Sequence, residues 1–261
     1  MKRIDTTLRI LSVIFLMIAA ACAERVEETE PVEPPPVERP GEAPPPVEGP
    51  AAPSGDEAGE EADVPRLEGG IRLEPVDEGE SNASFAAFRR QLRDIVRRRD
   101  AEALLAIVDP NIRFSFGAGG GREEFAEEWN VRSGESRLWG ELGEILRLGG
   151  RFQGERFVAP YTFSAWPEGV DGFTHLAVIC ADAVARSRGS ASSEAVARLD
   201  YHVLPIGPDD EGPGAAWRQV TLPDGREAWI DAGCVRSHVD YRAAFAPSGR
   251  GWLMEFFVAG D

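Results

Sequence analysis

The sequence predicts an α+β fold, in which a small all-β barrel packs with a helical α+β flanking domain after a disordered tether. Between Leu176 and Arg236, short apolar runs are separated by turn residues, which is typical of many short strands. Upstream of that stretch, apolar residues at helical spacing predict amphipathic helices. Nearer the N-terminus, a segment rich in Pro and Glu lacks the large apolar residues that a hydrophobic core requires.

Most of the negative charge lies in that tether. The chain has 261 residues and a formal net charge of −17, and the segment from Glu24 to Glu80 contains 18 acidic and 4 basic residues. Its proline runs favour extended polyproline conformation, and its like charges repel one another. The overall acidity therefore says little about the partner of the folded part.

The first 21 residues have the pattern of a secretory signal peptide. Lys2, Arg3 and Arg9 precede the apolar run Ile10 to Ala21. This run is shorter than the roughly 20 residues that a membrane-spanning helix needs. We therefore expect export to the periplasmic side of a cell envelope.

The end of the apolar run resembles the lipobox of bacterial lipoproteins, in which the cysteine becomes the lipidated first residue. Ala19-Ala20-Ala21 precede Cys22, although the family prefers leucine where Ala19 stands. The resemblance implies lipidation of Cys22 and a membrane anchor. Ala23 in second place implies the outer membrane. Simple cleavage after Ala21 or Ala23 is the alternative.

The part of the chain after the tether divides into predicted helices and strands. Ser84 is expected to cap a helix that runs to about Arg99, and Asp100 is expected to cap a second helix that ends before Pro110. The last residues, from Tyr241 to Val258, predict a strand-turn-strand hairpin that must pack on something larger. The predicted segments are a signal peptide (1–21), a tether (22–80), a helical α+β domain (81–170), a barrel (171–236) and a C-terminal hairpin (237–261).

Four segments of the predicted barrel resemble a bacterial SH3 domain in their order along the chain. They are Ala183–Ser187, Val196–Leu199, Trp217–Val220 and Asp224–Ile230. The chain departs from that family at Ala228, where glycine is usual, and in a longer loop from Gly207 to Gly214. The resemblance implies a binding module of cell-envelope proteins and not a catalyst.

The two ends of the folded part resemble a second class, the cone fold of nuclear-transport-factor-like proteins. The resemblance rests on the helices and strand from Phe85 to Trp129 and on the C-terminal hairpin. It implies a pocket that holds a small ligand or supports catalysis.

No catalytic or metal-binding constellation is visible in the sequence. The cysteines and histidines do not occur as close ligand pairs such as C-x-x-C or H-x-x-x-H, and no nucleophile at a helix start is visible. We expect no enzyme activity, no metal and no cofactor. Cys180 and Cys234 are either a disulfide pair, since the first and last strands of an SH3-like barrel lie near each other, or separate small buried residues.

The function expected from these patterns is recognition of a cell-wall peptide, a glycan or an envelope protein, with no binding of nucleic acid. The expected ligand-binding residues are Arg186, Arg188, Trp217, Arg226 and Trp229. Either tryptophan could instead belong to the core. The alternative function is a small-ligand or enzymatic pocket in the cone-like domain.

Overall fold

A computed structural model describes residues 64–117 and 120–260 of the chain. The predicted signal peptide, the predicted lipidation site Cys22 and the tether up to residue 63 lie outside the described residues. The strands in chain order are β1 (Ile71–Arg72), β2 (Val108–Arg113), β3 (Arg151–Gln153), β4 (Arg156–Ala159), β5 (His175–Val178), β6 (Ala183–Arg186), β7 (Ala195–Leu199), β8 (His202–Pro205), β9 (Trp217–Thr221), β10 (Glu227–Asp231), β11 (Val235–Ser237), β12 (Arg242–Ser248) and β13 (Gly251–Val258). The helices are α1 (Ala83–Arg98), α2 (Ala101–Ala106), α3 (Arg122–Glu128), α4 (Leu138–Leu148) and α5 (Tyr161–Ser164).

The predicted fold class, a small barrel packed with a helical domain, is wrong. Within the described residues, thirteen strands form three sheets, and the helices are few. The strands that were predicted to close one barrel divide between two four-stranded sheets, β1-β8-β5-β11 and β7-β6-β10-β9. An isolated bridge joins Ile206 to Val220 between these two sheets. Short apolar runs predict that strands exist, but pairing is a long-range property that the runs do not specify.

The third sheet has five strands in the order β2-β13-β12-β4-β3. Its centre is the C-terminal hairpin, because β13 pairs antiparallel with β12 and parallel with β2. The sequence predicted a C-terminal hairpin that packs on the head. In the structure it is the middle of a sheet whose other strands come from residues 108–159.

Helices cover one face of the five-stranded sheet. Asn82 caps α1, because its Oδ1 accepts the N–H groups of Ser84 and Phe85 at 3.1 Å. Ser84 was the predicted cap, and it lies instead in the first turn, where its Oγ accepts the indole N–H of Trp252 at 3.0 Å. Phe85 is fully buried and packs against Phe157 of the sheet with ring centroids 4.3 Å apart. These contacts place the core of this part between helices and sheet.

The arginines of α1 are mostly paired with nearby groups. Arg97 lies 2.8 Å from Asp94, and Arg93 donates to the carbonyl oxygen of Leu146 at 3.0 Å. Arg89 is 2% exposed and donates to the carboxylates of Asp77 and Glu80. Arg89 therefore has a structural role, because it holds the segment before α1 against this helix.

The two four-stranded sheets pack on each other over a shared apolar core. Inward residues of both sheets are fully or nearly fully buried, among them Leu176, Leu204, Ala185, Val220 and Ile230. A smaller cluster joins Ala177 and Val203 to residues of α4 and α5. The two-sheet part is therefore attached to the helix-and-sheet part through buried contacts.

Residues 64–80 were predicted to belong to the tether, but the structure folds them along both parts. β1 pairs with β8 as an edge strand. Upstream of β1, Arg66 forms ion pairs with Asp182 and Asp200. Downstream, Glu78 accepts the N–H of Phe152 at 2.8 Å. The segment is thus held by backbone pairing, by charge and by apolar contacts, since Leu73 is buried in a core cluster and Leu67 packs against the core of the two sheets.

A disulfide joins Cys180 to Cys234, whose Cα atoms are 5.1 Å apart. It lies where the end of β5 meets the start of β11, and the N–H of Ile179 donates to the carbonyl oxygen of Cys234 at 2.8 Å. The structure thus shows the paired alternative for these two cysteines.

Candidate functional site

Two tryptophans lie on the outer face of the β7-β6-β10-β9 sheet. Trp229 is half-buried, while its two neighbours in β10 are fully buried, because side chains alternate between the faces of a strand. Trp229 pairs with Gln219, and Trp217 pairs with Asp231, so the indoles lie diagonally across neighbouring strands. Neither tryptophan is part of the buried core.

Gly189 brings the loop between β6 and β7 onto these two indoles. A Cβ atom at this position would lie 3.1 Å from Cδ1 of Trp229 and 3.2 Å from Cβ of Trp217. A side chain here would push the loop away, so glycine permits the approach. The hydroxyl of Ser193 lies 2.8 Å from the carbonyl oxygens of both Arg188 and Ser190, so its one hydrogen is shared between two acceptors within the loop.

The loop before β9 is held against the sheet by a buried ion pair. Arg218 donates from Nε to Oδ1 of Asp210 at 2.9 Å and from Nη2 to Oδ2 at 2.7 Å. The exposed fractions of the two side chains are 11% and 4% respectively. The backbone N–H of Gln219 donates to the same carboxylate at 2.9 Å. A two-pronged geometry of this kind fixes orientation as well as distance.

The pKa of Asp210 reflects these contacts. Burial opposes ionisation and on its own would raise the pKa of this carboxyl. The hydrogen bonds from Arg218 and from the backbone N–H of Gln219 outweigh burial and hold the pKa of Asp210 below its ordinary value. The carboxylate is therefore ionised at neutral pH, as the ion pair requires.

Gln219 connects the loop to the floor of the site. Its side chain is nearly inaccessible, with 1% of the residue exposed. Oε1 accepts the N–H of Asp209 at 2.6 Å, and a Cβ atom on Gly207 would come within 2.7 Å of its Cγ. The loop thus packs closely over this amide.

Together these groups line a cleft of about 180 Å³, which we call the tryptophan cleft. Its lining residues are Gly189, Asp209, Glu211, Ala215, Ala216, Trp217, Gln219 and Trp229. Two of the lining side chains are charged, Asp209 and Glu211, and both are carboxylates. The cleft therefore combines two indole surfaces, one amide and negative charge.

The sequence-predicted site residues have different positions relative to the cleft. Trp217 and Trp229 line it. Arg186 is the cross-strand partner of Trp229, and its Nη1 donates to the carbonyl oxygen of Ser193 at 2.8 Å. Arg188 is exposed and adjoins Gly189 in the chain, but neither arginine is among the lining residues.

Arg226 lies elsewhere, in the turn between β9 and β10. Its Nε donates to Asp224 at 2.7 Å, and both side chains are about half exposed. The structure does not bring this arginine to the lining of the cleft.

Sequence reasoning missed Gly189, Asp209, Glu211 and Gln219. Both carboxylates lie in the longer loop from Gly207 to Gly214, which in the sequence stands out only as a departure from the family pattern. For Gly189 and Gln219 the sequence held no signal, because each acts through a contact between distant segments.

A second cleft, of about 480 Å³, lies in the helix-and-sheet part. Its lining residues are Phe114, Ser115, Glu124, Glu127, Glu128, Trp129, Arg137 and Tyr241. The guanidinium of Arg137 lies 4.7 Å from the ring centroid of Trp129 and donates to the hydroxyl of Tyr241 at 2.9 Å. The aromatic wall of this cleft already carries a cation of the chain itself.

Residues 64–117 and 120–260 contain no group of three or more His, Cys, Asp or Glu placed to hold a metal ion. Within the same ranges, no helix has the length and apolar character needed to cross a membrane. Of the three histidines, His202 is 1% exposed and makes two hydrogen bonds to the backbone, with Asp200 and Gly69. It therefore has a structural role in the described chain.

Comparison with known proteins adds little. No protein-family model matches the chain, and no curated protein matches it. One solved structure to which it is similar carries the name Rd1NTF2_05, with 14% identity and a TM-score of 0.26 over 69% of this chain and 99% of that one. We draw nothing from a likeness of this size.

Proposed function

We propose that this chain is a binding protein of the cell envelope and that the tryptophan cleft is its ligand site. Support comes from one observation above all, the pair of half-buried indoles on an outer sheet face. An indole surface that is left partly in water gains free energy when a ligand covers it, and tryptophans are enriched at binding hot spots. The buried ion pair of Asp210 and Arg218 holds a loop at the same cleft, so the site is formed before a ligand arrives.

The envelope part of the proposal rests on the sequence pattern of the first 22 residues. The ligand class that fits it is a cell-wall peptide or glycan, or an envelope protein. Anchoring at the membrane through Cys22 belongs to the same proposal. A tethered recognition module needs neither a metal nor a catalytic residue.

Co-sedimentation with purified peptidoglycan sacculi and pull-down from envelope extract test the proposal. We expect Trp229→Ala to weaken retention by at least about tenfold, because aromatic hot spots contribute about 2 kcal/mol or more. Phe173→Ala is the matched control, since Phe173 is also an exposed aromatic side chain, at 58%, and is absent from the lining of the cleft. Retention of Trp229→Ala at the wild-type level, or no wild-type retention on either material, would contradict the proposal.

The second cleft supports a second candidate function, binding of a small molecule in the helix-and-sheet part. Its volume, about 480 Å³, lies in the range of ordinary ligand pockets, roughly 300–1,000 Å³. A thermal-shift screen of small molecules would reveal it. Hits at this cleft should be lost in Arg137→Met and kept in Arg97→Met, since Arg97 is an exposed arginine of α1.

A further inference from the structure

We propose that the tryptophan cleft takes a primary ammonium group of a peptide, with an adjacent amide carbonyl bound by Gln219. This inference rests on the proposed function, because it names the ligand chemistry of the same site. The cleft volume of about 180 Å³ is below the range of roughly 300–1,000 Å³ that holds a whole small ligand. It suits one side chain or one chain end of a longer molecule.

The charge of the cleft selects a cation. Asp209 and Glu211 line it, and neither carboxylate has an ion pair or hydrogen bond with any other described residue. Their chain neighbour Asp210 differs, because Arg218 neutralises it. Two unneutralised carboxylates beside indole faces form the setting in which a cation gains both ion pairing and attraction to the ring surface.

Gln219 provides the second, independent observation. Its Oε1 accepts the N–H of Asp209, which leaves the two N–H groups of the amide without a partner among the described residues. The residue is 1% exposed and lines the cleft. A ligand carbonyl that enters the cleft can therefore accept a hydrogen bond from this amide.

These two requirements identify a peptide rather than a simple amine. The carboxylates take the ammonium, and the amide of Gln219 takes the carbonyl that precedes or follows it in the peptide. The ammonium can come from a diamino-acid side chain or from a free chain terminus, because both present the same group. Arg186 and Arg188 are absent from the lining of the cleft. Neither therefore adds to that lining a positive charge that would repel an ammonium group.

The test measures tryptophan fluorescence and heat of binding with the full chain and four probes. Acetyl-Gly-Lys-Gly-amide carries a side-chain ammonium, and Gly-Gly-Gly-amide carries a terminal one. Acetyl-Gly-norleucine-Gly-amide has nearly the same shape as the lysine peptide without its charge, and n-butylamine has the ammonium without a carbonyl. We expect one or both ammonium peptides to bind at least about tenfold more tightly than the norleucine peptide and than n-butylamine.

The variant Asp209→Asn/Glu211→Gln should lose this preference, by about tenfold in affinity for the ammonium peptide. Glu135→Gln/Glu168→Gln is the matched control, because it removes the same charge from two exposed positions outside the cleft. If neither ammonium peptide binds more tightly than the norleucine peptide, or if the affinity is unchanged in the Asp209/Glu211 variant, the ammonium assignment is overturned. Butylamine that binds as tightly as the peptide overturns the role of Gln219.

Failure of this inference is distinguishable from failure of the proposed function. If sacculi or extract retention still depends on Trp229 while the ammonium preference is absent, the cleft binds a ligand of different chemistry. If retention is also insensitive to Trp229, both proposals are wrong.

Discussion

Asp210 and Arg218 form a two-pronged ion pair that is almost fully removed from solvent, and this pair attaches the loop before β9 to the strand itself. Because the residues on either side of Asp210 are lining residues of the tryptophan cleft, the ion pair also sets the position of the two cleft carboxylates. Stability and binding are therefore coupled through one contact.

Asp210→Asn should destabilise the protein and weaken ligand retention together. Removing one charge of a buried pair leaves the other uncompensated, and we expect a loss of about 3 kcal/mol in the free energy of unfolding. Urea unfolding measures the loss, and sacculi co-sedimentation measures the binding. The matched control is Asp224→Asn, whose partner Arg226 is about half exposed, and which should leave the urea midpoint almost unchanged. Equal midpoints for the two variants would show that the Asp210 pair does not stabilise the loop.

Gly189→Ala should reduce binding with little loss of stability. The new methyl group would lie 3.1 Å from Trp229 and 3.2 Å from Trp217, so the loop or an indole must shift. The effect should appear as a changed tryptophan emission spectrum and weaker retention. Gly249→Ala serves as the control, because a Cβ atom there meets nothing within 4 Å. An unchanged emission spectrum in Gly189→Ala would contradict the contact.

Stability should decrease as the pH falls below about 6.5, through His202. Its Nδ1 accepts the N–H of Asp200 at 3.1 Å, so the proton sits on Nε2, which donates to the carbonyl oxygen of Gly69 at 3.1 Å. Burial is the main cause that lowers the pKa of His202 below its value in the unfolded chain. The unfolded chain therefore binds the extra proton more readily in the window just below the unfolded pKa, and its population rises there.

Urea unfolding at several pH values between 7.5 and 5 checks this expectation. The contribution of His202 is fully present above the unfolded pKa and is lost as the pH falls through the folded one. His202→Gln should be less stable at pH 7.5 but show a shallower pH dependence. If the free energy of unfolding of His202→Gln depends on pH as steeply as that of the wild type, groups other than His202 cause the pH dependence.

Removal of the disulfide should cost about 4 kcal/mol in the free energy of unfolding. Cys180 and Cys234 are separated by 54 positions, and closing a loop of that length restricts the unfolded chain by about this amount in the chain-entropy treatment. The variant Cys180→Ala/Cys234→Ala should match reduced wild type in urea unfolding. Counting thiols in denatured, unreduced protein is the direct check, and two reactive thiols beyond Cys22 would rule out the bridge.

Local patterns in the sequence predicted individual elements well where the elements depend on nearby residues. The periodic apolar residues from Phe85 to Ile95 predict α1, and the residues around Pro247-Ser248-Gly249 predict the hairpin of β12 and β13. Helix spacing and turn chemistry are properties of adjacent residues, so a sequence carries them directly. The sequence predicted Ser84 as the cap of α1, whereas the structure has Asn82 in that position, so the prediction was wrong by two residues.

The arrangement of the elements was decided by contacts that no local pattern contains. β2 pairs in parallel with β13 across more than a hundred residues, and β1 joins the sheet of β8 from a segment that the sequence predicted to belong to the tether. The tryptophan cleft is likewise tertiary, since Gly189, Asp209 and Trp229 come from three separate segments. Alternation in β10 indicates that Trp229 and Ile230 face opposite ways, but it does not indicate which side is covered. The sequence by itself determined where local helices such as α1 and hairpins such as β12–β13 form. The packing of the sheets decided which tryptophans and carboxylates share a cleft, because the burial of a side chain depends on which other segment covers its face of the sheet.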